Sequence, residues 1–222
     1  MRVFKIILFT ILLHFSLTGY SHNPEDFIIS EIEQGQLTFE TDQISTEYNA
    51  ALKRLRIRRL SAMSWEKKIA IFTKSGFEHI IPKGLDHILF VLGLFFSCLK
   101  FRSLLILITT FTIAHSITLI FAGIGWIQLH GNIIEPLIAL SIVWIAIENC
   151  ILKKPSRFRF LIVFVFGLLH GMGFASVLNH YGLPKDNFLQ LLLSFNIGVE
   201  IGQLSIIILA FLLTKAILRH DY

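Results

Sequence analysis

Sulfur is nearly absent from this sequence: 222 residues include two cysteines, Cys98 and Cys150, and three methionines. Each cysteine ends an apolar run beside a basic loop. Such ends should face the cytoplasm, where thiols stay reduced, so no disulfide is expected. A lone cysteine in an apolar run ordinarily serves packing, and a soft-metal role for the pair is set aside. Met172 is the one methionine in the apolar region, which argues against a thioether path for Cu⁺. Charge is scarce too, at 16% Asp, Glu, Lys and Arg. The net charge of +5 sits mostly in short clusters between apolar runs. Membrane topology produces that arrangement, and it is not the footprint of a nucleic-acid partner. No GxxxxGK[ST] is present, so nothing points to ATP binding, and no HExxH points to a zinc hydrolase. The chain is expected not to be an enzyme.

What remains is apolar. The chain is 54% hydrophobic, with mean hydropathy +0.69 and 21 phenylalanines. The expected fold is all-α, a polytopic membrane bundle of about five transmembrane helices behind an N-terminal signal peptide. Residues 1–21 carry a basic start, an apolar core of about a dozen residues, and small Gly19 and Ser21 before a cleavage point. Cleavage there would expose His22. An uncleaved anchor is the alternative. Residues 22–75 form an extracytoplasmic polar segment with eight acids and eight bases. Its basic stretch from Thr46 to Phe72 reads as an interfacial helix. The membrane domain is placed at 76–216, with runs near 79–99, 102–123, 132–152, 159–179 and 188–214, and a cytoplasmic tail at 217–222. In the first run the regular helix would begin near Pro82, leaving His79 at the membrane mouth. The loops after runs one, three and five hold eight Lys and Arg against one in the other two. That bias puts the N-terminal segment outside an inner (cytoplasmic) membrane and the C-terminus in the cytoplasm.

An ionisable group near the centre of a spanning helix costs roughly 2.5–3.5 kcal/mol and persists where it faces protein or a water path. Every run here carries such a group. Asp86 and His87 lie in the outer part of run one, and His115 lies near the middle of run two. His170 and Glu200 are central in runs four and five. Glu135 marks the outer end of run three, with Glu148 and Asn149 at its inner end. Together they sketch a polar path. If the first helix extended back to His79, that residue would share a face with Asp86, seven residues on. Asn196, Glu200 and Gln203 form one stripe at i, i+4 and i+7. Gly167 with Gly171, and Gly198 with Gly202, are GxxxG pairs that let helices approach closely. Imidazole nitrogens with carboxylate oxygens suit Ni²⁺, Co²⁺ and Zn²⁺. Taken singly, each group has a plainer explanation. Asp86 could be neutralised by Lys83, Glu148 beside Lys153 and Lys154 could be interfacial, and His130, His180 and His220 read as loop or tail residues.

Five ordered motifs, HIIPKGLDHILF, FTIAHSITL, EPLIALSIVWIAIEN, FGLLHGMGFA and FNIGVEIGQ, resemble the HupE/UreJ family of nickel and cobalt permeases, most closely its second, broader branch. The resemblance spans residues 76 to about 205. It implies a permease in which a His followed by Asp-His, and a His-Gly with a later Glu, accompany metal passage. Here those positions are His79, Asp86, His87, His170, Gly171 and Glu200. Two spacings depart from the family pattern. Six residues rather than five separate His79 from Asp86, and Glu200 falls on the helix after His170. The implied function is an inner-membrane permease for a divalent metal, nickel or cobalt, with zinc a further candidate. No tightly bound cofactor is expected beyond the transported ion. The partners are the bilayer, the ion, and a second copy or another subunit. The alternatives are a non-transporting accessory or sensor subunit, a membrane haem protein and an intramembrane metallohydrolase.

Overall fold

A computed structural model describes residues 42–97, 100–127, 131–152, 156, 158–181 and 187–220. The expected signal peptide, Cys98, His130 and the last two residues of the tail lie outside them. So do Lys153 and Lys154. The described residues form seven helices joined by turns, with no strand among them. The helices are α1 (Asp42–Ala62), α2 (Trp65–Ile80), α3 (Leu85–Ser97), α4 (Phe101–Gly123), α5 (Gly131–Ile151), α6 (Arg159–Tyr181) and α7 (Phe188–His220).

Three of these, α4, α5 and α7, are long and apolar enough to cross a membrane. The pair α2 and α3 meets the same test as a unit, although it is bent by 69°. In α6 the stretch Arg159–Phe174 is a shorter apolar helix. Among the described residues, three helices therefore pass this test, or four with the bent pair, which agrees with the expected helical membrane bundle. The outward faces are apolar: Ile113, Leu140, Trp144, Leu161, Leu209 and Leu212 are all more than half exposed. The polar residues Thr112, His115, Ser141, His170, Asn196 and Gln203 are buried. Greasy outside and polar inside is the inverse of a water-soluble bundle, and it fits helices that close around polar groups in lipid.

The first apolar run is where the structure departs furthest from expectation. A single helix beginning near Pro82 does not form. The chain enters as α2, which continues through His79 to Ile80, turns over residues 81–84, and restarts as α3 at Leu85. Proline at position 82 disfavours helical backbone in the residue before it, and Ile81 is extended accordingly, at φ −125° and ψ 116°. His79 and Asp86 thus lie on different helices and share no face. The basic stretch expected as one interfacial helix also breaks, at Met63–Ser64, and its second part, α2, packs along α7.

Small residues set the two closest helix pairs. α6 lies on α4, and a Cβ at Gly167 would come within 2.6 Å of the Phe111 carbonyl oxygen. One at Gly171 would overlap Thr118 and the His115 carbonyl. α7 lies on α2, where a Cβ at Gly198 would overlap the Thr73 carbonyl and one at Gly202 would meet Ile80 at 2.8 Å. Gly76 on α2 answers from the other side, its Cα against the Phe195 carbonyl. Backbones that approach this closely bring α2, α4, α6 and α7 together around one interior.

Candidate metal site

The interior holds four imidazoles from four helices. One ring nitrogen from each of His79, His87 and His115 lies within 4.8 Å of the other two. Metal–imidazole bonds of about 2.0–2.1 Å at a tetrahedral angle place ligand nitrogens about 3.4 Å apart, so the triad would close on an ion by a contraction of up to about 1.4 Å, within reach of side-chain rotation. The His170 ring adjoins the triad, its centroid 5.0 Å from that of His87. His79 lies 4.9 Å from His87, and His115 lies 5.8 Å from it.

The turn after α2 explains how residues eight apart in sequence meet. The Gly84 amide donates to the Ile80 carbonyl, and the Gly84 Cα sits against the His79 carbonyl, where a side chain would clash. A Cβ there would also reach within 3.3 Å of His87 Nδ1. The 69° bend then folds α3 back so that His87 faces His79. Four of the six residues between His79 and Asp86 form this turn, so the two are not related by the periodicity of one helix.

Hydrogen bonds fix the tautomers of two rings. His170 Nδ1 lies 2.8 Å from the Phe166 carbonyl oxygen, which can only accept, so Nδ1 carries the proton. His87 Nδ1 donates in the same way to Asp86 Oδ1 at 3.1 Å. In the neutral form of either ring Nε2 then keeps its lone pair. Neither Nε2 has a hydrogen-bond partner, nor does either nitrogen of His115. These three side chains are 2%, 2% and 0% exposed. Buried polar atoms without partners cost roughly 1–3 kcal/mol each. A carboxylate behind an imidazole is also the usual support of a metal-binding histidine, because it orients the ring and raises its basicity. Asp86 stands in that position behind His87. The donor set is nitrogen-rich and fits a borderline cation such as Ni²⁺, Co²⁺ or Zn²⁺. Cys150 is a free, exposed thiol.

The other polar residues named from sequence lie elsewhere. Glu200 is not in the imidazole group: its Oε1 accepts a 2.8 Å hydrogen bond from Thr109 Oγ1 across the α4–α7 seam. Gln203 accepts from Thr112 on the same seam at 3.1 Å, and Asn196 donates to the Leu192 carbonyl of its own helix at 2.9 Å. Glu135 is exposed near the start of α5. Glu148 and Asn149 are buried at the other end of α5 in a second cluster. Glu148 pairs with Arg159 at 2.7 Å and accepts from the Ser156 amide at 3.0 Å. Arg159 also donates to Ser97, and Asn149 Nδ2 donates to the Gly93 carbonyl at 2.7 Å. Glu148 is thus buried and paired with Arg159 rather than interfacial, while Lys153 and Lys154 lie outside the described residues. Sequence reasoning had counted that arginine only as a loop charge. The available signal was an arginine opening an apolar run eleven residues after a glutamate that nearly closes the previous one.

No curated protein and no solved structure matched the chain. A family model described as HupE / UreJ protein matches residues 54–222, which take in the turn, all four histidines and the ion pair. With the match covering most of its length, the chain belongs to the HupE/UreJ family.

Proposed function

We propose that this protein is an inner-membrane permease for a divalent transition metal ion, nickel or cobalt, and that the ion is held in transit by the His79, His87, His115 and His170 imidazoles. Membership in a family of nickel and cobalt transporters supports the class of function. One observation supports the site: His87 Nε2, His170 Nε2 and both His115 nitrogens are buried in one ring cluster with no hydrogen-bond partner, and His79 completes a triad with His87 and His115. Asp86 orients His87 rather than acting as an independent ligand. Glu200 and Gln203 line the α4–α7 seam beside this path, and Asn196 lies buried on the same α7 stripe. In this reading the segment before α2 lies outside, and the Lys100 and Arg159 end of the bundle faces the cytoplasm, because short basic loops stay there. No nucleotide-binding motif is present in the chain. The driving force is then the membrane potential, an ion gradient or an energising subunit.

The test is accumulation of radioactive Ni²⁺ and Co²⁺ in cells expressing wild type, Asp86→Asn, His87→Ala or His170→Ala at matched membrane levels. Wild-type uptake above that of empty cells, lost in the variants, is the expected result. Wild-type uptake equal to that of empty cells for both metals would sink both substrates. Zinc would be next, and after it a non-transporting accessory subunit.

A further inference from the structure

Three of the four histidines have a phenylalanine one helical turn away, all on the same side. On α3 it is Phe90, three residues after His87. On α4 it is Phe111, four before His115, and on α6 it is Phe166, four before His170. The α3 count runs toward Ser97, the α4 count toward Phe101 and the α6 count toward Arg159, so all three lie toward the end closed by the Glu148–Arg159 pair. The rings touch as a layer. Phe90 and Phe111 have centroids 5.0 Å apart, and Phe90 and Phe166 6.1 Å apart. They also touch the imidazoles, with Phe111 5.0 Å and Phe90 5.5 Å from His170, and Phe111 5.7 Å from His87. Phe90 and Phe111 are 1% and 0% exposed. On the opposite side Phe174 and Phe195 stack at 4.8 Å and flank His79. The imidazole layer is thus sandwiched between aromatic ones.

We infer that the Phe90–Phe111–Phe166 layer determines specificity: it bars every ion that keeps its water shell from leaving the imidazole site toward the basic end. Apolar constrictions gate by dewetting, so a hydrated ion finds no solvent there. A transition metal can exchange water for imidazole one layer earlier, whereas Mg²⁺ gives up its water reluctantly and has little affinity for nitrogen. Selection therefore takes two adjoining steps, ligand exchange at the histidines and exclusion at the phenylalanines. The inference rests on the permease reading, but the barrier has its own readout.

Purified protein would be reconstituted in vesicles containing a Mg²⁺-sensitive dye, and Mg²⁺ influx measured for wild type, Phe111→Ala, Phe90→Ala and the milder Phe111→Leu. Two controls accompany them: Phe72→Ala, buried but outside the layer, and Phe160→Ala on the exposed face. Only variants that elute as a single species and bind Ni²⁺ like wild type are scored; Phe111→Leu is included because it keeps most of the core volume. The expected result is Mg²⁺ influx about tenfold or more above wild type for the alanine variants, a smaller rise for Phe111→Leu, and none for the controls. Folded layer variants as tight to Mg²⁺ as wild type, or controls that leak equally, would overturn the inference. A wild type that moves no Ni²⁺ while the layer variants leak would defeat the permease reading and leave the barrier standing.

Discussion

The histidines around His115 and the ion pair around Arg159 are both buried, both assembled from several helices, and joined by the same two elements. His87 and Ser97 are ten residues apart on α3, and Arg159 and His170 eleven apart on α6. Each count gives a separation of roughly 15 Å at 1.5 Å per residue. Yet their polar atoms behave oppositely. Around Arg159, charge meets charge at 2.7 Å, an amide donates to the carboxylate, and the asparagine next in sequence reaches a backbone carbonyl. Around His115, the Nε2 atoms of His87 and His170 and both nitrogens of His115 are buried without a hydrogen-bond partner. The Arg159 cluster is held by a charge pair and hydrogen bonds, although Arg159 Nε is left over in it too. The imidazole group has no such charge pair among its rings, and the His87, His115 and His170 nitrogens left over there are the donors that the proposed ion would use.

Removing Arg159 should break this contrast most violently. Arg159→Ala strands the Glu148 carboxylate among buried groups, and losing one partner of a buried pair costs about 3–5 kcal/mol. A sharply lower Tm in detergent, or failure to accumulate, is expected. The double variant Glu148→Leu/Arg159→Leu should recover most of that loss, because an apolar replacement leaves no charge behind. A double variant as unstable as the single one would show that the pair does more than neutralise itself.

Removing a histidine should have the opposite effect on stability. His115→Leu deletes two unsatisfied nitrogens from a fully buried site, so stability should hold or rise by up to about 1–3 kcal/mol. Metal binding should fall in the same protein. A Tm drop comparable with that of Arg159→Ala would mean that His115 is a structural residue and would erase the comparison.

The smallest expected effect lies on the α4–α7 seam. Thr109→Val removes the hydroxyl that donates to Glu200, at a cost of about 0.5–1.5 kcal/mol. Metal binding should not change, because Glu200 lies outside the imidazole group. Altered Ni²⁺ affinity in Thr109→Val would bring Glu200 back to the site.

Much of this was legible in the sequence because lipid makes polar residues conspicuous. His87, His115 and His170 stand out against apolar neighbours, and the glycines at 167, 171, 198 and 202 announce close approach by their spacing. The helical character followed from hydropathy alone. What stayed hidden depended on where the chain bends and on which helix touches which. Pro82 reads as the start of a helix, when it marks the turn between two, so from sequence His79 joins the metal path only at its outer rim. Glu200 and His170 looked equivalent in depth, but depth does not say which neighbour a side chain faces. Arg159 was counted as topology, since nothing local distinguishes a loop base from one whose partner closes the preceding helix. The phenylalanine layer was invisible for a different reason: with 21 phenylalanines in the chain, the three that matter are identified only by their contacts.

The most direct test of the central claim is Ni K-edge absorption on purified protein loaded with one equivalent of Ni²⁺, comparing wild type with His115→Leu. The account predicts several imidazole ligands in wild type, with backscattering from their ring carbons, and a clear loss of that signal together with weakened binding in the variant. Spectra and affinity that His115→Leu leaves unchanged would contradict it, because the metal would then be held somewhere other than among the buried imidazoles.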